Sequence, residues 1–314
     1  MHSWRSFNVM VIALLLGGLS VLIATLAVID PYGTGRFTPI QRTDIVTDDN
    51  NYFGNATRLR DPRFNAAIIG NSRSMRLAPY RLNELTGLSF VMLAMPALDP
   101  QTQITVADAF VRNHPNEGLT IVWGLGDEWC RTHHDPIPFP RWLYEPSSFH
   151  YLRHLLASSS IGAAIRRMLF MAGFGRRKGT IDGYEQNHPF WNRATDPAAL
   201  LATIPPSEGE PVEADLPLVS KLAEFAQTLN SRIRLVLVFQ TVYEKYMPVH
   251  GSTADQRLSR CKSELERIGG SSFIDMQKHS QLASRPESFI DVVHFKDDVA
   301  VEVEIAISAQ ALSK

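Results

Sequence analysis

The longest apolar stretch of the chain comes first. Val9 to Ile29 reads VMVIALLLGGLSVLIATLAVI, without a single charge. A helix over those residues spans ~30 Å, the hydrocarbon thickness of a bilayer. It is apolar around its whole circumference, which separates a membrane span from an amphipathic core helix. Arg5 and the amino terminus precede it and Asp30 follows. Positive charge on the first flank belongs to the cytoplasm and sends the remainder of the chain across the membrane. Residues 1–30 are read as an uncleaved anchor. The competing reading is a cleaved signal peptide, with Thr25-Leu26-Ala27 as its nearest cleavage site.

Beyond the span the hydrophobic pattern becomes sparse. Asp30-Pro31-Tyr32-Gly33-Thr34-Gly35 is a turn-rich exit, and residues 31–64 read as a polar connecting segment. From Asn65 short apolar runs take over. Ala66-Ala67-Ile68-Ile69 ends at Gly70, Ser89 to Leu93 precedes Pro96, and Leu119 to Trp123 ends at Gly124. Arg234 to Phe239 is a fourth run and Ser272 to Met276 a weaker fifth. Runs of four to eight apolar residues bounded by turn formers are buried strands. Helical patterns lie between and after them, near Thr102–Asn113, Leu216–Leu229 and Asp297–Leu312. Strands alternating with helices predict an α/β fold: a central parallel sheet covered on both faces, with chemistry at the carboxyl ends of the strands. The stretch 131–213 breaks this rhythm. Rich in Pro, His, Trp and Arg, and with one helix near Ile161–Ala172, it reads as an insertion in a domain covering 65–314.

Composition narrows the functional classes. Across 314 residues, 31 basic side chains face 32 acidic ones. That balance leaves no basic excess to displace phosphate counterions, so no nucleic-acid partner is expected. Cys130 and Cys261 lie far apart without C-x-x-C spacing. Two buried thiols are the expectation and a disulfide the alternative. Cys130, His133, His134 and Asp135 are metal-ligand types, but their spacing matches no zinc pattern, and no metal or other cofactor is expected. Trp142 and Trp191 are of a type that stacks on sugar rings or anchors a packed insertion.

Two short blocks carry the chemistry. Gly70-Asn71-Ser72-Arg73-Ser74 follows the first strand. A serine on a tight turn there presents its hydroxyl at the sheet edge, beside its own N–H and a helix amino terminus. On its own it is as well read as a helix N-cap. Asp291-Val292-Val293-His294 follows the last strand. The spacing lets one turn present a base together with the carboxylate that orients it.

In order and position these blocks resemble the SGNH, or GDSL-like, hydrolase superfamily. The resemblance covers about Asn65 to Leu312, with Asn71 in place of the family's aspartate. It implies a three-layer α/β/α sandwich, Ser72 as nucleophile, His294 as base and Asp291 as its partner. The anchor, the Asp-Pro-Tyr-Gly exit and the GNSRS block further resemble SGNH-like proteins of bacterial exopolysaccharide modification, such as those of alginate O-acetylation. That implies an acetylesterase or O-acetyltransferase on an envelope glycan, outside the cytoplasm, in contact with a biosynthetic complex. A catalytically weak scaffold binding glycan or partner proteins is the alternative. Two blocks depart from the family. The second lacks its glycine near Ala94–Ala97, leaving the Ala97 N–H as the expected oxyanion donor beside that of Ser72. The third, Gly124-Leu125-Gly126-Asp127, has Gly126 where the family carries a donor asparagine. Asn71, Arg73 and Gly124 are the remaining candidates for oxyanion or substrate contacts.

Overall fold

The computed structural model describes residues 2–38, 51–115, 118–131, 137–175, 179–186, 190, 191, 193, 196, 202 and 215–312. In chain order the principal elements are α1 (His2–Ile29), α2 (Asn51–Arg58), β1 (Ala66–Ile69), α3 (Pro79–Thr86), β2 (Phe90–Met92), α4 (Pro100–Asn113) and β3 (Leu119–Leu125). There follow α5 (Arg141–Tyr144), α6 (Ser148–Leu155), α7 (Ser158–Met171), α8 (Pro217–Thr228), β4 (Ile233–Phe239), α9 (Thr253–Gly269), β5 (Phe273–Asp275) and α10 (Asp297–Leu312). The chain groups into two units, Met1–Arg60 with Pro140–Gly179, and Asp61–Phe139 with Thr180–Lys314.

In the larger unit all five strands are parallel, in the order β2-β1-β3-β4-β5. Every residue of β1, β2 and β3 is buried, which is why these strands read as unbroken apolar runs rather than alternating ones. Alternate residues nevertheless serve different faces. Ala66, Ile68, Val122, Val236 and Val238 pack with Leu77 and Leu82 and with Val299, Val303 and Ile307 of α10. From Trp123 the indole N–H donates to Gln103 Oε1 of α4 at 2.8 Å. Its ring meets Trp129 edge-on at 5.7 Å and Phe225 of α8 at 5.8 Å. The strand order reverses between β1 and β3, where a doubly wound sheet opens a crevice at its carboxyl edge. The turn after β1 (Gly70–Ser74) and the turn after β3 (Gly126–Cys130) border that crevice.

One side of this unit is closed covalently. Cys130 and Cys261 form a disulfide, with Cα atoms 5.5 Å apart, which overturns the expectation of two free thiols. The turn after β3 and the middle of α9 are neighbours, and nothing in a separation of 131 residues announces this. Cys130 is thereby removed from any metal-ligand set, and His133, His134 and Asp135 lie outside the described residues.

In the smaller unit α1 is long and apolar enough to cross a membrane, and most of its side chains are exposed. It ends at Asp30, which takes a left-handed conformation (φ 48°) and donates its N–H to Leu26 O. The buried Asp30 carboxylate accepts from Thr34 Oγ1 (2.9 Å), Gly35 N–H (2.6 Å) and Tyr151 Oη (2.6 Å). Those bonds offset the cost of a buried charge. Residues 51–58, within the stretch read as a polar connection, form α2. Thr57 Oγ1 donates to Tyr32 O, Arg60 Nη2 to Leu143 O and Tyr144 Oη to Tyr52 O. These contacts draw 140–179 to the 1–60 segment. Trp142 belongs here as a packing anchor, 5.3 Å from the Tyr32 ring and stacked on His154 at 4.8 Å.

Candidate active site

β1 delivers the chain to Gly70, whose φ of +153° lies in the range that favours glycine. A Cβ there would fall 2.0 Å from Ser74 Oγ and 2.9 Å from Gly124 O. The turn closes with Ser74 N–H donating to Asn71 O and Met75 N–H to Ser72 O. Ser72 is not an N-cap. A single 3₁₀ turn, Ser74–Arg76, comes after it and carries no side-chain cap. The expected helix amino terminus behind the serine is therefore absent. α3 begins only at Pro79, because the chain is extended at Leu77 and Ala78.

Ser72, His294 and Asp291 come together. His294 Nε2 lies 2.8 Å from Ser72 Oγ. His294 Nδ1 lies 2.9 and 2.8 Å from the two oxygens of Asp291. A carboxylate at Nδ1 fixes the proton there and leaves Nε2 to accept from the serine hydroxyl. The D-x-x-H spacing works through the backbone as well, since Asp291 Oδ1 accepts the N–H groups of Val293 (3.0 Å) and His294 (2.9 Å). The loop is clamped by a bridge between Phe289 and Phe295 and by Tyr243 N–H donating to Val292 O. Partial burial alone would raise the Asp291 pKa. The bonds from His294 and the two backbone N–H groups outweigh it and hold the carboxyl below its ordinary range.

Aromatic rings wall the histidine. Phe190 meets the His294 ring edge-on at 4.9 Å, and Trp191, largely buried, lies 6.3 Å away. The Arg76 guanidinium sits 5.8 Å above the Trp191 ring. The N–H groups of Ser72 and Ala97, expected as oxyanion donors, donate to no described group. The loop after β2 is tied to the nucleophile turn by Met95 N–H to Gly70 O at 3.2 Å. Ala97 is exposed and held at φ +54°, a conformation that ordinarily calls for glycine.

The other candidates are placed differently. Arg73 points away from solvent, its side chain 8% exposed, and pairs with Asp127 at 2.9 Å and with Glu128. The Asn71 amide donates to Glu128 Oε1 at 2.9 Å while its carbonyl accepts the Arg73 N–H. Both residues thus hold the serine turn. Gly124 serves packing, since a Cβ there would fall 2.1 Å from Ser74 Oγ and 2.7 Å from Gln240 Nε2. At Gly126, a Cβ would fall 2.3 Å from Arg73 Nη2 and 2.5 Å from Glu128 Oε2. The space an asparagine would need is filled by the Arg73–Glu128 pair. Glu128 is a site residue that the motifs do not mark. Its one signal is an acidic residue close behind a buried strand, which demands a basic partner.

Fold and site together define an α/β chain with a serine–histidine–aspartate relay at the carboxyl edge of a parallel sheet. No family model matches the chain, and no curated protein matches it.

Proposed function

We propose that this chain is a membrane-anchored, extracytoplasmic serine acyl-ester enzyme of SGNH type, acting as an acetylesterase or O-acetyltransferase on an envelope glycan. The observation that carries this reading is the continuous relay from Ser72 Oγ through His294 to Asp291. Ser72 Oγ attacks the ester carbonyl and passes its proton to His294 Nε2. The oxyanion takes hydrogen bonds from the N–H groups of Ser72 and Ala97. His294 then gives its proton to the departing alkoxide, leaving acyl-Ser72. A second hydroxyl, from water or from a sugar, loses its proton to His294, attacks the acyl carbonyl and expels Ser72 Oγ, which takes that proton back from His294. Asp291 keeps the imidazole in the working tautomer and stabilises the imidazolium throughout. The rings of Phe190 and Trp191 beside His294 limit water around the acyl-enzyme, which favours transfer when a sugar acceptor is bound.

The test uses the full chain in detergent micelles, treated with a fluorophosphonate and assayed for acetate release from an aryl acetate. Ser72→Ala and His294→Ala are expected to lose labelling and at least about 10³-fold of the turnover. A folded wild-type chain that neither labels nor turns over would replace this reading with a glycan- or partner-binding scaffold. The filled asparagine position at Gly126 favours that alternative.

A further inference from the structure

The outward face of α7 carries the wrong chemistry for water. Its inner face is Ser160, Ala163, Ala164 and Arg167, all buried at helical spacing. The opposite face should be polar on a helix bathed in solvent. Instead Ile165 and Leu169 on that face and Met168 at its flank are each between 43% and 49% exposed, and Phe174, just past the helix end, is 84% exposed. In α6, which packs beside it, Phe149 is 73% exposed.

Within this unit α7 lies against α1, at the end where the span finishes. Tyr32 Oη is 3.1 Å from Ser160 Oγ. The Arg167 guanidinium lies 3.2 Å from where a Cβ on Gly33 would sit. The apolar face therefore continues from the end of α1, whose own exposed side chains meet lipid. Charge points the same way. Leaving out the buried Arg167, residues 140–179 hold five Arg and one Lys against one Glu, and Arg176-Arg177-Lys178 begins two residues after Phe174. A helix with an apolar outer face, flanked by cations, lies in the interfacial layer of a bilayer containing anionic lipid.

We propose that α7 lies on the membrane beside its own anchor, with Ile165, Met168, Leu169 and Phe174 inserted among the acyl chains. This inference rests on α1 crossing the membrane and is independent of the chemistry at Ser72. The protein would thereby be held by two membrane contacts rather than by a single flexible tether.

Both native cysteines are in the disulfide, so an introduced cysteine is the only free thiol. Phe174→Cys and, separately, Leu16→Cys in the full chain are labelled with an environment-sensitive fluorophore. Each is reconstituted into phosphatidylethanolamine–phosphatidylglycerol vesicles carrying a spin label either near the headgroup or near the chain end. The probe at 174 is expected to shift to the blue and be quenched most by the shallow label, about 5–10 Å deep. The probe at 16 is expected to be quenched most by the deep label. Quenching at 16 without quenching at 174 would overturn the α7 contact while leaving the anchor standing. Disulfide cross-linking of two Phe174→Cys chains, without lipid quenching, would assign the face to a second copy and equally overturn it. No quenching at either position would remove the span itself.

Discussion

Gly126→Asn installs the asparagine that the SGNH resemblance would place in the third block, and the two readings of that glycine expect opposite outcomes. If the position were a vacancy, a restored donor would raise turnover by up to about 10²-fold. The structure argues against vacancy. The backbone at Gly126 is extended (φ −150°), so any residue fits its conformation and only side-chain space is tested. That space is occupied, with Arg73 Nη2 at 2.3 Å, Cζ at 2.5 Å and Glu128 Oε2 at 2.5 Å from the new Cβ. Non-bonded atoms settle at about 3.5–4.0 Å, so the overlap exceeds about 1 Å. A long side chain usually swings clear at little cost. Arg73 cannot, because its side chain and that of Glu128 are each 8% exposed and paired with one another.

Forcing atoms into a filled interior costs about 1–3 kcal/mol, and separating a buried pair costs about 3–5 kcal/mol. Gly126→Ala is expected at the lower figure and Gly126→Asn toward the upper one. At about 2–4 °C per kcal/mol for a domain of this size, a loss of about 3 kcal/mol lowers the melting midpoint by about 6–12 °C. Turnover should fall as well, because Asn71 and Arg73, the residues flanking Ser72, are the ones displaced. Thermal unfolding and acetate release are read together on the same variants. In an Arg73→Ala/Glu128→Ala background the penalty of Gly126→Ala should shrink, giving a coupling of about 0.5–3 kcal/mol. A Gly126→Asn protein that melts like wild type and turns over faster would refute the reasoning outright.

Asp291→Asn should cut kcat by about 10⁴-fold, because the wrong imidazole tautomer is then held toward Ser72. Since Asp291 is depressed in the fold, its contribution to stability is present above the unfolded pKa of about 3.9 and is lost as pH falls through the lower folded value. The gap between wild type and Asp291→Asn in urea unfolding should accordingly close below about pH 4; a gap that widens there would contradict the sign. The Cys130→Ser/Cys261→Ser double variant should lose about 2–5 kcal/mol, and reductant should affect only the wild type, checked by melting with and without it. Ala97→Gly should hold or raise stability by up to about 1 kcal/mol and keep turnover, because the backbone N–H is the working group. Ala97→Val should lower both in the same two assays.

The sheet was legible where its strands are buried on both faces. Ala66–Ile69 and residues 235–239 show as continuous apolar runs ending at turns. β3 runs past the expected stop at Trp123, because Gly124 and Leu125 go on pairing with Val238 and Phe239. The glycine that looked like punctuation is there to admit Ser74 and Gln240. α9 gives no such pattern, since Thr253–Gly269 is polar along most of its length and buries only Ala254, Cys261 and Leu265. α2 hid inside a polar stretch for a different reason: its buried residues are Gly54, Asn55, Ala56, Thr57 and Arg58. A helix held by polar side chains gives no apolar stripe to read.

At the site, the relay residues were visible because a nucleophile, a base and an acid recur at fixed places relative to the strands. The packing beneath them was not. What the glycine at 126 does depends on which side chains fill the volume beside it, and these are Arg73 and Glu128, separated by 55 residues. Sequence order says only that a glycine stands there. Only packing says that the same volume holds a buried ion pair whose members bond to Asn71 and Asp127. Gly126 and the Asn-Ser-Arg spelling of the serine turn then belong to one packed set. Arg73 needs the room that glycine leaves, Glu128 needs Arg73 for its charge, and Asn71 is held by Glu128 beside the nucleophile. Members of such a set are coupled, so substitutions at Gly126, Arg73 and Glu128 should cost less together than the sum of their single costs.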